Sequence, residues 1–247
     1  MKIKEITAKS ILSKSQVYDY ALNPYVGCQH GCVYCYAKFM KRFTGHEEKW
    51  GEFVDVKINA PHLLMQEVRK KRVGRVWISG VCDPYQSLEK TYELTKRCVK
   101  ILVENNWPFT IQTRSPLVLR DIETLKMASH AEVGFTITTA DDKIRRIFEP
   151  GAPPIARRIE ALAKLHAEGI ATFAMVAPIL PGAGGLPAML KGTVDHVLLD
   201  KLNYHYADWI YRKYGMQWAM KDSFFSQEGR ELAEAFGREG IPCQVLF

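Results

Sequence analysis

Three cysteines near the start of the chain have a spacing that points to metal chemistry. Cys28, Cys32 and Cys35 form a C-x3-C-x2-C pattern within the segment NPYVGCQHGCVYCYA. Thiolates are soft ligands that suit iron–sulfur clusters and zinc. A structural zinc site needs four ligands, typically as two spaced pairs, and the other three cysteines of the chain are isolated from one another.

Three thiolates on one loop are enough to hold a cubane iron–sulfur cluster while leaving one of its irons open. Electron-transfer clusters of the ferredoxin type use four cysteines, whereas an open metal position is what substrate binding and catalysis require. Gly27 and Gly31 allow the backbone to wrap closely around such a cluster. His30 is a further ligand candidate, but it lies inside the tight loop.

The elements that must position this loop alternate along the chain as short β-rich runs and longer amphipathic stretches. The predicted strands are 17–27, 75–81, 109–113, 132–138, 171–177, 194–199 and a last one within 242–247. The predicted helices are 32–43, 88–104, 117–128, 153–168, 186–191, 206–214 and 226–238.

This alternation predicts an α/β fold with a parallel sheet and right-handed crossovers. About six βα units predict a partial (β/α)6 TIM-like barrel in one domain, 1–247, with its core in about 18–203 and a C-terminal helical extension in 204–247. The cysteine loop follows the first predicted strand. We therefore expect it at the C-terminal face of the barrel, where βα loops build active sites.

The composition is that of an ordinary globular protein, with 47% hydrophobic and 25% charged residues, and excludes a disordered chain. No apolar signal core starts the sequence, and no window approaches the ~20 apolar residues of a membrane span. We therefore expect a cytoplasmic protein without a membrane partner. The net charge of +7 favours polyanionic partners, but the basic pairs at 145–146 and 157–158 are more typical of solvated helix ends.

At this point the sequence resembles a known family. The cysteine loop, with an aromatic residue before its third cysteine, is the signature of the radical S-adenosylmethionine (SAM) superfamily. The segments SGVCDPYQSLE, TITT and EPGAPP…RRIEAL…AEGI…APILPG resemble its spore photoproduct lyase-like branch, often labelled DNA repair photolyase. The likeness covers about 18–203, which is most of the chain.

The resemblance implies a [4Fe–4S] cluster held by Cys28, Cys32 and Cys35, with SAM bound through its amino and carboxylate groups to the fourth iron. It implies reductive cleavage of SAM to methionine and a 5′-deoxyadenosyl radical that abstracts hydrogen from substrate. It also implies an electron donor of the flavodoxin or ferredoxin type. The cofactor then carries the difficult chemistry, while the protein orients and shields it.

The resemblance further assigns SAM contacts to the ends of the first three strands. Tyr34 matches a residue near the adenine, and Ser79 with Gly80 matches the motif that holds the methionine amino group. This sequence reads SGVCD where the family motif has a Gly-Gly-Glu form, so either Asp83 or backbone carbonyls replace the Glu. Arg114 matches a basic position that pairs with the methionine carboxylate, which suits a guanidinium fork.

Four more residues are implied at the later strand ends. Thr138 and Thr139 resemble ribose contacts, although β-propensity explains threonine there equally well. Pro178 and Ile179 resemble a segment beside the adenine, and a strand ended by proline is the alternative interpretation.

Two residues are candidates for hydrogen transfer. Cys82 follows the second strand, in the region where the lyase has a hydrogen-donating cysteine, but that cysteine aligns with Gly80, so a buried inert thiol is the favoured alternative. Tyr36 matches a lyase tyrosine in the hydrogen-transfer chain, with packing beside the cluster as its alternative. Cys98 lies on the apolar face of a predicted helix, and we expect it in the core.

Aromatic residues alternate with Arg212 and Lys213 in the C-terminal extension. Such a pattern can stack and neutralise a nucleic acid, but the favoured interpretation is a helix that buries these rings against the barrel. The aromatic residues are Tyr204, Tyr206, Trp209, Tyr211, Tyr214, Trp218, Phe224 and Phe225.

Three functional hypotheses remain at this point. The first is a radical SAM enzyme that acts on a nucleic acid, in lesion repair or modification. The second keeps this chemistry but has a peptide or a small metabolite as substrate. The third is a zinc or iron–sulfur binding module without catalytic activity.

Overall fold

The computed structural model describes residues 1–247, whose strands form two sheets. The strands are β1 Lys2–Ile6, β2 Leu12–Lys14, β3 Tyr20–Leu22, β4 Tyr25–Val26, β5 Phe53–Lys57, β6 Val76–Ile78, β7 Phe109–Thr113, β8 Ala131–Thr136, β9 Ala171–Val176, β10 His196–Leu199 and β11 Cys243–Val245.

The helices lie mainly between the strands of the larger sheet. The α-helices are α1 Ala60–Val68, α2 Glu89–Tyr92, α3 Leu94–Glu104, α4 Ile122–Lys126, α5 Asp142–Phe148, α6 Ile155–Ala167, α7 Leu186–Leu190, α8 Asp208–Lys213 and α9 Asp222–Arg238. The 3-10 helices are Tyr36–Phe43, Pro116–Asp121, Ala183–Gly185, His205–Ala207 and Gln217–Met220.

The larger sheet has the strand order β2-β3-β6-β7-β8-β9-β10-β11. Every neighbouring pair from β3 to β11 is parallel, and only β2 is antiparallel to its partner β3. The α/β fold and the parallel sheet of the sequence analysis are therefore confirmed. Because β2 and β11 form the two edges, this is an open sheet of the partial-barrel kind.

One large cluster of buried apolar side chains, from Ile11 to Ile241, supports this sheet. It includes Cys98, which is fully buried on α3 as expected. The C-terminal helices share the cluster through Tyr211 and Phe236, both fully buried. The extension is therefore packed against the barrel.

Two predicted helices differ from those in the structure for identifiable reasons. The predicted helix 88–104 is broken into α2 and α3 at Glu93, which has a left-handed backbone with φ 48°. The carboxylate of Glu89 accepts the N–H groups of Thr95 and Lys96, each at 3.0 Å, and so caps the start of α3 from outside that helix. The predicted helix 32–43 begins only at Tyr36, as a 3-10 helix, because the preceding residues form the cysteine loop.

The smaller sheet was not predicted. Its order is β1-β5-β4, with β1 parallel and β4 antiparallel to β5. Its strands β1 and β4 precede the cysteine loop in the chain order, whereas β5 and α1 lie between that loop and β6. The structure contains no helix that combines the length and the apolar character needed to cross a bilayer.

A close approach between β8 and β9 gives a first test of this packing. A Cβ added at Gly134 would stand 2.1 Å from Cζ of Phe173, whose ring is buried and stacked on His196 at 5.4 Å. The ring cannot move aside cheaply, so we expect Gly134→Ala to destabilise the protein by about 1–3 kcal/mol. Thermal unfolding followed by circular dichroism measures this as a melting temperature several degrees lower.

Gly237→Ala is the matched control because nothing lies within 4 Å of a Cβ at that position in α9. Alanine favours a helix by up to about 1 kcal/mol relative to glycine, so this variant should melt at or above the wild-type temperature. Equal melting temperatures for the two variants would contradict the described packing.

Candidate active site

The predicted site residues lie at the carboxyl ends of neighbouring parallel strands. The cysteine loop follows β3 and β4, the segment from Ser79 to Asp83 follows β6, and Arg114 follows β7 directly. Thr138 and Thr139 follow β8, while Pro178 and Ile179 follow β9. Because these strands are parallel neighbours, their carboxyl ends form one edge of the sheet, which is where ligands bind in such folds.

The cysteine loop consists of tight turns that depend on glycine. Gly31 N–H donates to the carbonyl of Cys28 at 3.2 Å, and Cys35 N–H donates to that of Cys32 at 3.2 Å. Gly27 has φ 91°, and a Cβ there would stand 2.4 Å from the carbonyl oxygen of Phe53 in β5. The unpredicted small sheet therefore supports the loop from behind, and only glycine fits at the contact.

Two glutamines hold the loop from the other side. Gln86 is fully buried; its Oε1 accepts from Gln29 N–H at 2.9 Å and its Nε2 donates to Gly27 O at 3.3 Å. Gln29 returns the contact, because its Oε1 accepts from Leu88 N–H at 2.7 Å. These amides satisfy backbone groups that no secondary structure pairs. They fix the cysteine loop against the segment that follows β6.

The three thiols of the loop are almost withdrawn from water. Cys28 and Cys32 are buried, with exposed fractions of 6% and 4%, and Cys35 is half-buried. Burial raises the pKa of all three, that of Cys32 to about 12. A coordinated thiol is nevertheless deprotonated, because the metal supplies the positive charge that burial otherwise denies it. The environment therefore fits thiolates that bind a metal group and does not fit free thiolates.

The donor set fits a cluster better than a single ion. No three His, Cys, Asp or Glu side chains are placed to hold one metal ion. In a cubane each cysteine binds a different iron, so the three cysteine sulfurs need not converge on one point. His30, the candidate fourth ligand, is already engaged: Nε2 lies 3.0 Å from Asp83 Oδ2 and Nδ1 lies 3.2 Å from Gly151 O.

Asp83 is surrounded by donors from the protein. Its Oδ1 accepts from Thr113 Oγ1 at 2.7 Å and from Tyr85 N–H at 2.9 Å, while Oδ2 accepts from Arg114 N–H at 2.7 Å. Burial alone would raise the pKa of Asp83, but His30 and these bonds hold it at about 2. The carboxylate thus joins the cysteine loop to the ends of β6 and β7. Both oxygens of Asp83 are therefore engaged within the protein.

A second buried carboxylate, Glu149, organises the centre of the site. Its Oε1 accepts from the hydroxyl of Tyr34, from Arg114 Nε at 3.3 Å and from Thr138 Oγ1 at 3.2 Å. Its Oε2 lies 2.6 Å from Arg158 Nη2, and both side chains are fully buried. Burial alone would raise the pKa of Glu149, but Arg158 and Arg114 hold it at about 2.

Neither Glu149 nor Arg158 was among the predicted site residues. Arg158 was expected at a solvated helix end, as was Arg145, and that prediction is wrong for both, since they are 0% and 6% exposed. Arg145 instead pairs with Asp142 at 2.7 Å. The signal was present in the segment EPGAPP…RRIEAL, which begins at Glu149 and contains Arg158. The ion pair between Glu149 and Arg158 could not be read from that segment, because the two residues lie nine positions apart, on either side of the start of α6.

Arg114 is a cation whose charge acts on the thiols, and it retains donors for a ligand. Besides Glu149, its Nη2 donates to Tyr34 Oη at 3.0 Å, and its side chain is 18% exposed. Its positive charge acts on Cys32 and Cys35 in the direction that lowers their pKa, against the larger effect of burial. Tyr34 itself is buried, and its hydroxyl is committed to this network.

The segment after β6 is strained and lies beside Tyr36. Ser79 has φ 93°, a conformation that costs about 1–3 kcal/mol for a residue with a side chain and that recurs at functional sites. Its hydroxyl donates to the carbonyl of Cys82, and the hydroxyl of Tyr36 donates to the carbonyl of Gly80. Burial raises the pKa of Cys82 to about 12, so its sulfur carries a hydrogen.

The remaining predicted contacts lie deeper. Thr139 is fully buried, and its hydroxyl donates to Pro181 O at 2.7 Å. Pro178 follows a cis peptide bond, and Ile179 is fully buried, with its N–H donating to Asp200 O at 3.0 Å. The polar groups of these residues are therefore largely used within the protein.

The favoured burial of the C-terminal aromatic residues is wrong for most of them. Tyr211, Phe224 and Phe225 are buried, as expected. The exposed rings, with exposed fractions of 38% to 57%, are those of Tyr204, Tyr206, Trp209, Tyr214 and Trp218.

Comparisons with known proteins agree with this geometry. The profile of the radical SAM superfamily matches residues 22–184, so the chain belongs to that superfamily. The family implies an enzyme with a [4Fe–4S] cluster and SAM, and an electron donor for it. The match spans the cysteine loop and the strand ends described above.

Two proteins from other organisms have sequences similar to this chain. An uncharacterized protein of Methanocaldococcus jannaschii is 36% identical over 183 residues, which are 73% of this chain and 69% of that protein. A radical SAM Nalpha-GlyT isomerase of Pseudomonas phage M6 is 26% identical over 161 residues, covering 64% of this chain and only 33% of the isomerase.

Solved structures confirm the fold. Spore photoproduct lyase in complex with a dinucleoside spore photoproduct superimposes with a TM-score of 0.70 over 99% of this chain and 82% of the lyase, at 15% identity. Streptococcus suis SuiB bound to a precursor peptide gives 0.61 over 92% of this chain and 48% of SuiB, also at 15% identity.

The Glu149 network predicts a large effect of one small change. Glu149→Gln removes the charge that Arg158 and Arg114 share and leaves a buried guanidinium without its counter-ion. Breaking a buried pair from one side costs about 3–5 kcal/mol, so we expect the melting temperature to fall by about 10 °C.

Glu160→Gln is the matched control, because Glu160 forms a 3.5 Å pair with Arg157 in which both side chains are about two-thirds exposed. Such a pair contributes little, and this variant should unfold like the wild type. Similar behaviour of the two variants would contradict a central role for Glu149.

Proposed function

We propose that this protein is a radical SAM enzyme in which Cys28, Cys32 and Cys35 hold a [4Fe–4S] cluster. When bound and reduced, the cluster supplies the electron that splits SAM into methionine and a 5′-deoxyadenosyl radical, which abstracts hydrogen from substrate. The observation that carries the proposal is the set of three thiols, two buried and one half-buried, at the carboxyl edge of a parallel sheet, beside Arg114. A flavodoxin- or ferredoxin-type donor would provide the electron.

In this proposal Arg114 binds the carboxylate of SAM. The guanidinium already donates to Tyr34 and Glu149, which fixes its plane, and its remaining donors are available to an anionic group. The amino group of SAM is received by backbone carbonyls of the strained segment at Ser79 and Gly80. Glu149 and Asp83 position these groups and do not touch the ligand.

The adenosine moiety is assigned to the ends of β8 and β9 and to Tyr34 of the cysteine loop. Pro178 and Ile179 provide an apolar wall for adenine, with the ring of Tyr34 nearby, and the backbone around Thr138 and Thr139 meets the ribose. All five residues are buried, which excludes water from a reactive radical.

Hydrogen return to the product is assigned to Cys82 and Tyr36. Cys82 is half-buried and retains its hydrogen, and the hydroxyl of Tyr36 reaches the same segment at the carbonyl of Gly80. A thiol can give a hydrogen atom to a carbon radical and so become a thiyl radical, which a nearby tyrosine can return to the thiol. The tyrosyl radical left behind would then take one electron from the electron donor and one proton. The lyase neighbour supports this arrangement by fold only, since its identity to this chain is 15%.

The cluster assignment is tested by replacing its ligands. After anaerobic reconstitution we expect the wild type to contain about four irons per chain. Each of Cys28→Ser, Cys32→Ser and Cys35→Ser should contain fewer irons than the wild type. Each should also lose 5′-deoxyadenosine formation with dithionite and SAM. Iron, sulfide and zinc analyses together with absorbance spectra are the measurements.

Cys243→Ser is the matched control, since Cys243 is a half-buried thiol in β11, outside the cysteine loop. It should keep both the cluster and the activity. One zinc and no sulfide in the wild-type protein would overturn the enzyme proposal in favour of a metal-binding module.

The SAM site is tested by changing the shape of one cation. Arg114→Lys keeps the charge but loses the planar fork, so we expect SAM to bind about ten- to a hundredfold more weakly while the cluster content is unchanged. Isothermal titration of the reconstituted protein with SAM measures the affinity. Arg157→Lys, at a position about two-thirds exposed, should bind SAM as the wild type does, and equal affinity in Arg114→Lys would remove Arg114 from the site.

A further inference from the structure

Five aromatic rings form a continuous line on the surface beside the site. We call this surface the aromatic ridge; it consists of Tyr36, Phe39, Phe43, Tyr204 and Tyr206. The rings of Tyr204 and Tyr206 stack at 5.7 Å with an interplanar angle of 5°, and those of Tyr36 and Tyr204 at 6.3 Å with 22°. Tyr36 and Phe39 follow at 6.5 Å with 25°, and Phe43 meets Phe39 edge-on at 6.5 Å.

The ridge is exposed to an extent that packing does not explain. Phe43 is 70% exposed, Tyr204 50%, Tyr206 38% and Tyr36 37%. Full burial of a large apolar side chain is worth about 1.5–3 kcal/mol, so a folded chain gains nothing by leaving four such rings in water. A contiguous exposed patch of this kind marks an interaction surface.

Cations line the ridge. Lys38 Nζ lies 5.5 Å from the centroid of the Tyr206 ring, and Arg42 Cζ lies 5.7 Å from that of Phe39 and 5.6 Å from that of Phe43. The 3-10 helix that carries three of the five rings also carries Lys41 and contains no acidic residue. The surface is therefore aromatic and positively charged together, which suits an anionic partner with flat rings.

The ridge is continuous with the proposed site. Tyr36 follows Cys35 directly, and its hydroxyl donates to the carbonyl of Gly80 at the end of β6. A molecule that lies along the ridge from Phe43 to Tyr206 therefore contacts Tyr36, whose hydroxyl bonds to the same segment that contains Cys82. The ridge is placed to present a substrate and not only to bind one.

We propose that the aromatic ridge binds a single-stranded nucleic acid segment, whose unpaired bases stack on the rings and whose phosphates pair with Lys38 and Arg42. The proposal rests on the proposed function and names the substrate class of that site. Every base has a flat π-face, and stacking combined with a cationic track is how proteins hold single strands. In a duplex the base faces are already stacked on one another, so the ridge selects unpaired or flipped bases.

The test is binding of fluorescein-labelled oligothymidylate of about 15 nucleotides to the reconstituted protein, followed by fluorescence anisotropy. Phe43→Ala and Tyr206→Ala should each weaken binding about tenfold, because base stacking on one ring has about that value. An abasic oligomer of the same length should bind more weakly than oligothymidylate and be insensitive to both changes. Binding of both oligomers should weaken steeply as salt is raised.

Tyr214→Ala is the matched control. Tyr214 is 47% exposed and has Lys213 Nζ 5.5 Å from its ring centroid, so it repeats the cation and ring of Tyr206 without a stacked neighbour. Its replacement should change binding by less than about twofold. A similar loss in all three variants would overturn the proposal.

Other outcomes also decide the question. Unchanged affinity in Phe43→Ala and Tyr206→Ala, equal binding of the abasic oligomer, or no binding at low salt would overturn the ridge proposal. So would tighter binding of an acidic tyrosine-rich peptide that is lost in the same two variants. Formation of 5′-deoxyadenosine without substrate is measured in the same samples and separates the two proposals. If the wild type forms no 5′-deoxyadenosine, the SAM chemistry is contradicted. If 5′-deoxyadenosine is formed but both ridge variants bind oligothymidylate like the wild type, only the ridge proposal is contradicted.

Discussion

The buried carboxylate of Glu149 is the interaction on which the arrangement of the site depends. Through Tyr34 it holds the cysteine loop, through Arg114 the end of β7, through Thr138 the end of β8, and through Arg158 the helix α6. Two guanidinium groups and two hydroxyls surround one carboxylate, so its negative charge is compensated without water. An isolated buried charge is costly, and this cost fixes the four elements relative to one another.

The backbone groups of the cysteine loop have few partners in regular secondary structure, so side chains and the backbone of β5 hold the loop instead. Gln29 and Gln86 exchange amide bonds across the loop, Asp83 holds His30, and β5 presses its carbonyl against Gly27. A loop held in this way can keep three thiols in fixed positions. This matters because ligands that must meet three different irons tolerate little movement.

The sequence predicts most of this fold because its signals are local. The strand at 109–113 is observed with those bounds, and the helix predicted at 153–168 is observed as α6 Ile155–Ala167. The contacts that shape the site are not local. Glu149 meets Tyr34 across 115 positions and Gln86 meets Gln29 across 57, and no periodicity reports such pairs. The break at Glu93 is different, because the cap from Glu89 to Thr95 spans only six positions, and helical periodicity does not report a side chain that caps the next helix.

The same contacts restrict where substrate recognition can reside. The side chains of Asp83, Thr138, Thr139 and Glu149 all bond to the protein, so the strand ends have few free polar groups beyond those assigned to SAM. Specificity must then come from elements outside the parallel sheet. The 3-10 helix Tyr36–Phe43 and the start of the C-terminal extension are such elements, and they carry exposed rings and cations that the core does not need. In the proposed function the sheet edge would determine how a radical is made, whereas the flanking segments would determine which molecule it reaches.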